Sequence, residues 1–599
     1  MKLDDGLLRY YTEELTYLRS MGREFARNYP KVADRLDLQD GHPADPHVER
    51  LIESFALLTG RIRHEMDAEF PQITSSLLGI LYPQLTQPIP PTAIARFEID
   101  AQRGKFTTGH LVPKHTSLFA YGSQGVTCRF RTCYPVTMWP VEILETAVEP
   151  PAKYDFLASD PRVASVLRLR IGASAGSLAG LELDTLRFYL DRHAGPAYIL
   201  YELLFSALAG IMLVPEGSGK PVPLATSALT PVGFADDDDI LPYPSHAHPG
   251  YRLIQEYFQF PEKFLFVDLN GLGRHSSDKV FDVLFLLKSA PRQRLHLSNE
   301  TFALGCVPIA NLFPRTTEPV RLDQRQLYYR LVPDIRREHT TEIHSIVSVS
   351  GSMNPLEETR QYQPFYSFRH AGNGRTSQTY WQSRRMPTGR EDLPGTDVYL
   401  SFLDLDFQPS SPPSEVIFAH TLCTNRWLAT QIPPGAKLQM EDVGPVTVTC
   451  LNRPTPPVYP PLGGPTVWQL ISNLSLNYLS LSGTEGRDGF QEMLRLYCFG
   501  DQPSHYQQIQ GIRDMATRGT TLRIGKDAWR GFCAGTEVTL TFDESLYVGG
   551  GAFLFATVLR HFLAMYASID SFTQLVARRV NREEEWMRWP PLTGRGSVL

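Results

Sequence analysis

The chain is poor in the patterns that mark the simplest functional classes. Only seven cysteines are spread over 599 residues. An odd, scattered set builds no disulfide framework and fits a reducing compartment. Basic charge is not in surplus: 58 Lys and Arg stand against 64 Asp and Glu, a net charge of −6. No positive field draws such a chain onto nucleic acid or an anionic membrane. The opening residues MKLDDG are acidic and lack an apolar h-region, so no secretory signal is expected. Long hydrophobic runs are also missing. The best is AFLFATVLRHFLAMYA at 552–567, 16 residues with Arg560 and His561 in the middle. A membrane span needs roughly 20 apolar residues, and a charged pair there is costly. The run reads as a helix buried on nearly every side. No short-period repeat is visible.

Catalytic and ligand motifs fail one by one. Gly172-Ala-Ser174-Ala-Gly176 matches a nucleophile elbow, which needs a strand before it and a helix directly after it. The residues directly after it are SLAGLELDTLRFYL, a small-residue loop and then a strand. Gly217-Ser-Gly219-Lys220 resembles the end of a phosphate loop. However, Val214 replaces the required glycine, and Pro221 supplies no hydroxyl for Mg²⁺. Cys128 and Cys133 have no second Cys/His pair at metal spacing nearby. Asp236–Asp239, with His246 and His248, lacks the alternating ligands and turn glycine of a calcium loop and reads as a solvated loop. The remaining histidines are scattered and nominate no general base.

What is present is concentrated at the N-terminus. Leu8, Tyr11, Leu15, Leu18, Gly22, Phe25 and Tyr29 are spaced 3, 4, 3, 4, 3, 4, the seam of a coiled coil. A helix of roughly 25 residues spans about 37 Å. Its other face carries Arg9, Glu13, Glu14, Arg19, Arg23 and Arg27. A second helix is expected from Asp45 as N-cap and Pro46 at the first position. It carries Val48, Leu51, Phe55, Leu58 and Ile62 as its stripe and ends or kinks at Pro71. A shorter helical segment is expected over 73–81. Such stripes either close on the chain's own core or are completed by another chain. The seven seam residues are therefore the candidate protein interface.

Downstream of a stiff Gln87-Pro-Ile-Pro-Pro91 linker, period-two alternation marks strands, as in Arg96-Phe97-Glu98-Ile99 and Leu167-Arg168-Leu169-Arg170. One helix, 196–208, is expected to interrupt them. EIHSIVSVS, DVYLSFLDLDF and PVTVTC continue the β pattern. WQLISNLSLNYLSL and EMLRLYCFG read as helices, TLRIG and TEVTLTFDE as strands, and FTQLVARRV as a closing strand. The expected fold class is α+β and multidomain. A helical arm occupies 1–90, two β-rich domains occupy 91–335 and 336–460, and a mixed α/β domain occupies 461–599 with its buried helix at 552–567.

Several blocks resemble one family along nearly the whole chain. They are LLRYYTEELTYLRSMGREFARNYPKVADRL, DPHVERLIESFALLTGRI, EFPQITSSLLGILYPQLTQPIPPTAIARFE, EYFQFPEKFLFVDL, DVYLSFLDLDF, HTLCTNR, RPTPPVYPPLGGPTVWQLISNLSLNYLSL and VGGGAFLFATVLRHFLAMYASIDSFTQLVAR. Together they are similar to the TssF family, also called VasA or ImpG, a baseplate component of the type VI secretion system. Trp427-Leu428-Ala429 departs from the acidic-Leu-Pro expected after CTNR. The resemblance implies a structural subunit, not an enzyme, with no cofactor. It implies that two TssF chains clasp one TssG in a wedge similar to those of contractile phage tails. Helices would join TssG in a shared bundle while β-rich domains project outward. The implied neighbours are TssG, a second copy of the chain, TssK, TssE and the VgrG spike. The implied place is the cytoplasmic face of the inner membrane, docked to the membrane complex, where the baseplate templates tube and sheath. Two other readings stay open from the residues alone: a serine hydrolase using Ser174, and a ligand-binding module on residues 91–460.

Overall fold

The computed structural model describes residues 5–33, 47, 49–62, 78–79, 83–99, 107–122, 125–157, 160–174, 176–216, 220–243, 250–274, 279–323, 326–352, 359–365, 379–404, 415–441, 446–460, 462, 483–500, 502–523, 531–565, 567, 571–580, 582 and 584–594. Two compact units result: Met1–Leu81 with Pro461–Ser475, and Tyr82–Pro460 with Leu476–Leu599.

The first unit is helical. Helix α1 runs Asp5–Asn28, with Arg27 in its last turn, where a cation meets the negative end of the helix dipole. The hydroxyls of Thr12 and Thr16 donate to the carbonyls of Leu8 and Thr12, at 2.8 and 2.7 Å, so neither competes with the helix for backbone amides. Helix α2 covers 49–62. The expected N-cap at Asp45, the break at Pro71, most of the segment at 73–81 and the helix at 468–481 lie outside the described residues.

The second unit is built on a closed six-stranded barrel. Its order is Thr92–Ile99, Cys306–Ala310, Thr127–Thr132, Ser117–Tyr121, Lys437–Met440 and Val446–Cys450, closing on the first strand. Thr92 faces Ala310, and Ala95 faces both Val307 and Cys450. Ala93, Ile94, Ala95 and Phe97 are all buried, so both faces of this strand are covered. Gly305 sits at φ +67°, and a Cβ there would lie 2.2 Å from the Phe97 carbonyl oxygen. Only glycine fits that approach.

The barrel changes the domain picture. Its strands come from both blocks expected to be separate, 91–335 and 336–460. The eight-stranded sheet also takes Phe313–Thr316 and Tyr329–Leu331 together with Glu342–Ser352, Arg360–Pro364, Thr379–Pro387, Thr396–Asp404 and Val416–Thr424. Strand pairings therefore cross the boundary expected at 335/336. Barrel closure removes open edges, and it does so with partners far apart in sequence, which local alternation does not reveal. The Asn311 side chain bridges the two sheets. It donates to the Arg129 carbonyl at 2.6 Å and to Asn425 Oδ1 at 2.9 Å, while the Asn425 amide donates back to Asn311 Oδ1 at 2.6 Å. The HTLCTNR block thus ends in a buried junction.

Two antiparallel sheets are inserted between barrel strands. One is ordered Val222–Leu224, Leu208–Pro215, Val280–Leu287, Ser165–Ala173, Val141–Glu149; the other Leu229–Pro231, Phe266–Asn270, Thr185–Leu190, Phe302–Ala303. The alternation at 167–170 leads to a correction. Arg168 is buried, and its guanidinium is held by Glu145 at 2.6 Å and Glu149 at 2.8 Å. Two helices interrupt these strands, not one. Helix α3 spans Ala197–Ser206 as expected, and helix α4 spans Gly250–Gln259. The sequence of α4 is amphipathic, but its polar Arg252, Gln255 and Glu256 are buried too, and ten residues closed by Pro261 are too few for periodicity alone to mark a helix.

The C-terminal sheet pairs Ile512–Arg523, Phe532–Phe542, Phe572–Arg579 and Glu585–Arg588, with helices α5 (Gly483–Leu496), α6 (Pro503–Gln510) and α7 (Ala552–Ala564). Phe532–Phe542 and Phe572–Arg579 are parallel, so a crossover is required, and α7 supplies it. Phe555 of α7 stacks on Tyr257 of α4 at 4.9 Å. The TEVTLTFDE strand and the closing strand from Phe572 stand where the sequence placed them, while the helix expected over EMLRLYCFG begins earlier, at Gly483, and stops at Leu496.

Candidate protein interface

Helices α1 and α2 lie antiparallel, clamped at two points. At one end the Arg19 guanidinium pairs with the Glu49 carboxylate. At the other, a Cβ on Gly60 would lie 3.0 Å from the Tyr11 amide nitrogen and 3.2 Å from the Tyr10 carbonyl carbon. The backbones touch there because Gly60 has no side chain. Between the clamps Ala56 is fully buried. The inner face of α2 is thus Glu49, Ile52, Ala56 and Gly60, mostly small or charged, at helical spacing.

The stripe read from the sequence of α2 points elsewhere. Leu51, Phe55, Leu58 and Ile62 are 71, 53, 56 and 49% exposed. At 3.6 residues per turn that stripe is centred about 130° from the inner face. Four large apolar side chains on one line, uncovered, are not the surplus of an ordinary surface. Burying each from half exposure contributes about 1 kcal/mol.

The α1 seam divides. Tyr11, Leu15 and Leu18 are half-buried. Leu8, Phe25 and Tyr29 are 49, 37 and 59% exposed. Tyr29 follows the helix end, with its ring 5.3 Å from that of Phe25. Gly22 lies within α1. The sequence reading missed Tyr17 and Met21, which are exposed and, with Phe25, repeat every four residues. Their i, i+4, i+8 spacing was the available signal; the 3/4 seam beside it masked it.

The other candidates resolve into structure. Ser174 follows strand Ser165–Ala173, and its amide donates to the Pro140 carbonyl at 3.0 Å. Gly176 at φ +75° and a short 3-10 turn, Leu178–Gly180, lead into strand Thr185–Leu190. Among the described residues no α-helix follows the serine directly, so the strand-to-helix turn of an elbow is not seen. Cys128 and Cys133 are buried, and burial pushes their thiols up to about 11 and about 12. Residues 217–219, 246 and 248 lie outside the described residues. Among the described residues no three His, Cys, Asp or Glu side chains gather to hold a metal ion.

The Asp236–Asp239 run is anchored, not merely solvated. Lys263, wholly buried, donates to the Asp238 carbonyl at 2.6 Å and pairs with the Glu256 carboxylate. Glu256 Oε1 accepts the amides of Ile240 and Leu241 at 2.8 and 3.0 Å. Arg252 donates to the carbonyls of Asp236 and Ala235, both at 2.9 Å. Desolvation lowers the Lys263 ammonium from its usual range, and Glu256 opposes that shift. A buried cation with a carboxylate and a carbonyl to satisfy it is a structural cross-link, here tying the acidic loop to α4.

The sequence pattern of the family described as "Type VI secretion system, TssF" matches residues 3–596. The type VI secretion system component TssF1 of Pseudomonas aeruginosa is 36% identical over 622 aligned positions, covering 99% of each chain. Among solved structures, a chain of a type VI secretion TssK-TssF-TssG baseplate subcomplex superposes with a TM-score of 0.74 at 25% identity, covering 92% of this chain and 99% of that one. A chain of a type VI secretion baseplate complex shares the fold at a TM-score of 0.57 and 24% identity, over 99% of this chain and 100% of that one. Matched from end to end in sequence and in fold, the chain belongs to the type VI secretion system TssF family.

Proposed function

We propose that the chain is a structural subunit of the type VI secretion baseplate, joined to its partner through the exposed stripes of the α1–α2 arm. The observation that carries this reading is the line Leu51, Phe55, Leu58 and Ile62, turned away from the inner face of α2 and uncovered. An apolar stripe at helical spacing fits another helix. The partner is a TssG-like subunit, and TssK is a neighbour; the solved relative in a TssK-TssF-TssG subcomplex supports both. Two copies of the chain clasp one TssG, and TssE and the VgrG spike complete the surroundings. The wedge helps template tube and sheath. Among the described residues no helix is long and apolar enough to cross a membrane. The subunit reaches the cytoplasmic face of the inner membrane by docking through the baseplate. Its role is architectural, without catalysis.

The test is native mass spectrometry of the chain co-expressed with TssG. A stable assembly of two copies and one TssG is expected. The double variant Leu51→Asp/Phe55→Asp places carboxylates where a helix must pack, at a cost of several kcal/mol, and loses the assembly while staying folded. Leu15→Asp or Leu18→Asp also abolishes it, in part by disturbing the arm itself. Wild-type assembly by the Leu51/Phe55 double variant would sink the proposed interface.

A further inference from the structure

The junction between the barrel and the eight-stranded sheet holds a recessed cavity of about 190 Å³. Three arginines line it, and among the described residues no acid does. Arg129 comes from a barrel strand, Arg315 from the eight-stranded sheet, and Arg337 from the 3-10 turn Ile335–Thr340. Two of them share their charge with acids outside the lining: Arg129 meets Glu441 at 2.9 Å, and Arg315 pairs with Asp334. Arg337 makes no ion pair among the described residues. Glu338, next to it in sequence, is taken up by Arg330 and Arg390. Arg131 shares a strand face with Arg129 and also makes no ion pair among the described residues. Asp239, the acid that acts on Arg131, is paired with Lys114. Positive charge is therefore left over at the cavity after every ion pair is counted.

The rest of the lining narrows the ligand. Thr127 and Thr341 line the cavity, and their hydroxyls make no hydrogen bond among the described residues. Arg129 and Arg315 keep N–H groups that a single carboxylate contact does not use. Asn425 adds no donor, because its side-chain amide is spent on the Thr127 and Thr340 carbonyls at 3.4 and 3.3 Å. Donors thus come from three separate elements. A lone carboxylate presents two oxygens in one plane, whereas a tetrahedral oxyanion presents acceptors in several directions. The cavity is several times the roughly 30 Å³ of a water molecule. It is smaller than the pockets of drug-sized ligands, which begin at about 300 Å³.

We propose that this cavity binds a small tetrahedral oxyanion: phosphate, free or as the phosphoryl group of a monoester. Bound there, the ion ties the barrel to the eight-stranded sheet through Arg129, Arg315 and Arg337. The site is independent of the apolar arm, so it stands whether or not the arm binds as proposed above. The test is isothermal titration calorimetry of the full chain with inorganic phosphate and, separately, with phosphoserine. Saturable binding of one ion per chain is expected, weakened by added salt and reduced about tenfold in Arg337→Gln. Arg337 is exposed and its side chain bonds to no other described residue, so that variant stays folded. Arg294→Gln removes the same charge from outside the cavity and is expected to bind as the wild type does. Tighter binding of phosphoserine bears the proposal out for a phosphoryl group on a larger molecule; equal or weaker binding bears it out for the free ion. No saturation by about 10 mM of either ligand overturns the proposal. Equal binding by Arg337→Gln and the wild type overturns it too, as does an equal loss in both variants. Tighter, Arg337-dependent binding of glutarate overturns it in favour of a carboxylate site.

Discussion

Helices α2 and α7 are similar in length and both rich in large apolar residues, yet they use them in opposite ways. In α7, eleven of the thirteen residues are buried; only Arg560 and His561 are not. Arg560 donates to the Pro590 carbonyl at 3.3 Å, and His561 stacks on Phe234 at 4.2 Å, so even those two are engaged with the chain's own fold. In α2 the inward face is Ala56 and Gly60, while Leu51, Phe55, Leu58 and Ile62 look out. The lesson concerns what hydrophobicity is for. Helix α7 is covered by helices α3 and α4 and by strand Phe572–Arg579, while the same residue types on α2 stay exposed.

The comparison predicts a hierarchy of effects. Phe555→Ala empties a fully buried site that stacks on Tyr257; it is expected to cost about 3–5 kcal/mol in chemical denaturation. A loss below about 1 kcal/mol would mean α7 is far less central than its burial implies. Phe55→Ala, with the ring 53% exposed, should leave denaturation nearly unchanged. It should instead weaken the proposed binding to TssG by about 1–2 kcal/mol, roughly tenfold. A fall in stability without a fall in binding would erase the contrast between the two helices.

Gly60→Val tests the inner face of the arm. Its side chain meets the Tyr11 backbone, which cannot yield as a flexible side chain does. About 1–3 kcal/mol of arm stability should be lost, seen as faster hydrogen exchange across α1 and α2. Unchanged exchange would mean the two backbones separate at no cost.

The smallest effect belongs to a surface carboxylate that lies in neither helix. Hydrogen bonds from Arg330 and then Arg390 hold the Glu338 carboxyl at about 2, below its usual 4.5. Its folded-state pKa is depressed, so its stabilisation is present above 4.5 and lost as the pH falls toward 2. Glu338→Gln should flatten that acid limb by less than about 1 kcal/mol, because water screens the partly exposed pair. A steeper acid limb in the variant would reverse the sign of this assignment.

Legibility tracked the physics of each element. The helix at 5–28, the strand at 92–99, the helix at 552–564 and the strand from Phe572 were readable because each carries its own period or its own unbroken apolar run. Helix α4 was not readable. Its buried Arg252, Gln255 and Glu256 look like surface residues in a sequence, and their partners come from other segments: the Ala235 and Asp236 carbonyls for Arg252, the Gln84 carbonyl for Gln255, and Lys263 with the Ile240 and Leu241 amides for Glu256. Arg168 misled for the same reason, since its carboxylates come from another strand. At the candidate interface, the apolar residues of α2 were legible as a stripe. Which way the stripe faced was not, because small residues on the opposite side decided it.

By itself the sequence determined the class of the chain, the positions of those strands and helices that carry their own period or apolar run, and its likeness to the TssF family. These depend on local periodicity and on blocks of residues read in order. Tertiary structure alone decided that strands from 92–132, 306–310 and 437–450 close one barrel, since hydrogen-bonded partners hundreds of residues apart leave no local mark. It also decided that Gly60 and Ala56, not the leucines, hold α2 against α1. A close backbone approach rewards the absence of a side chain, and so the apolar stripe was left facing outward.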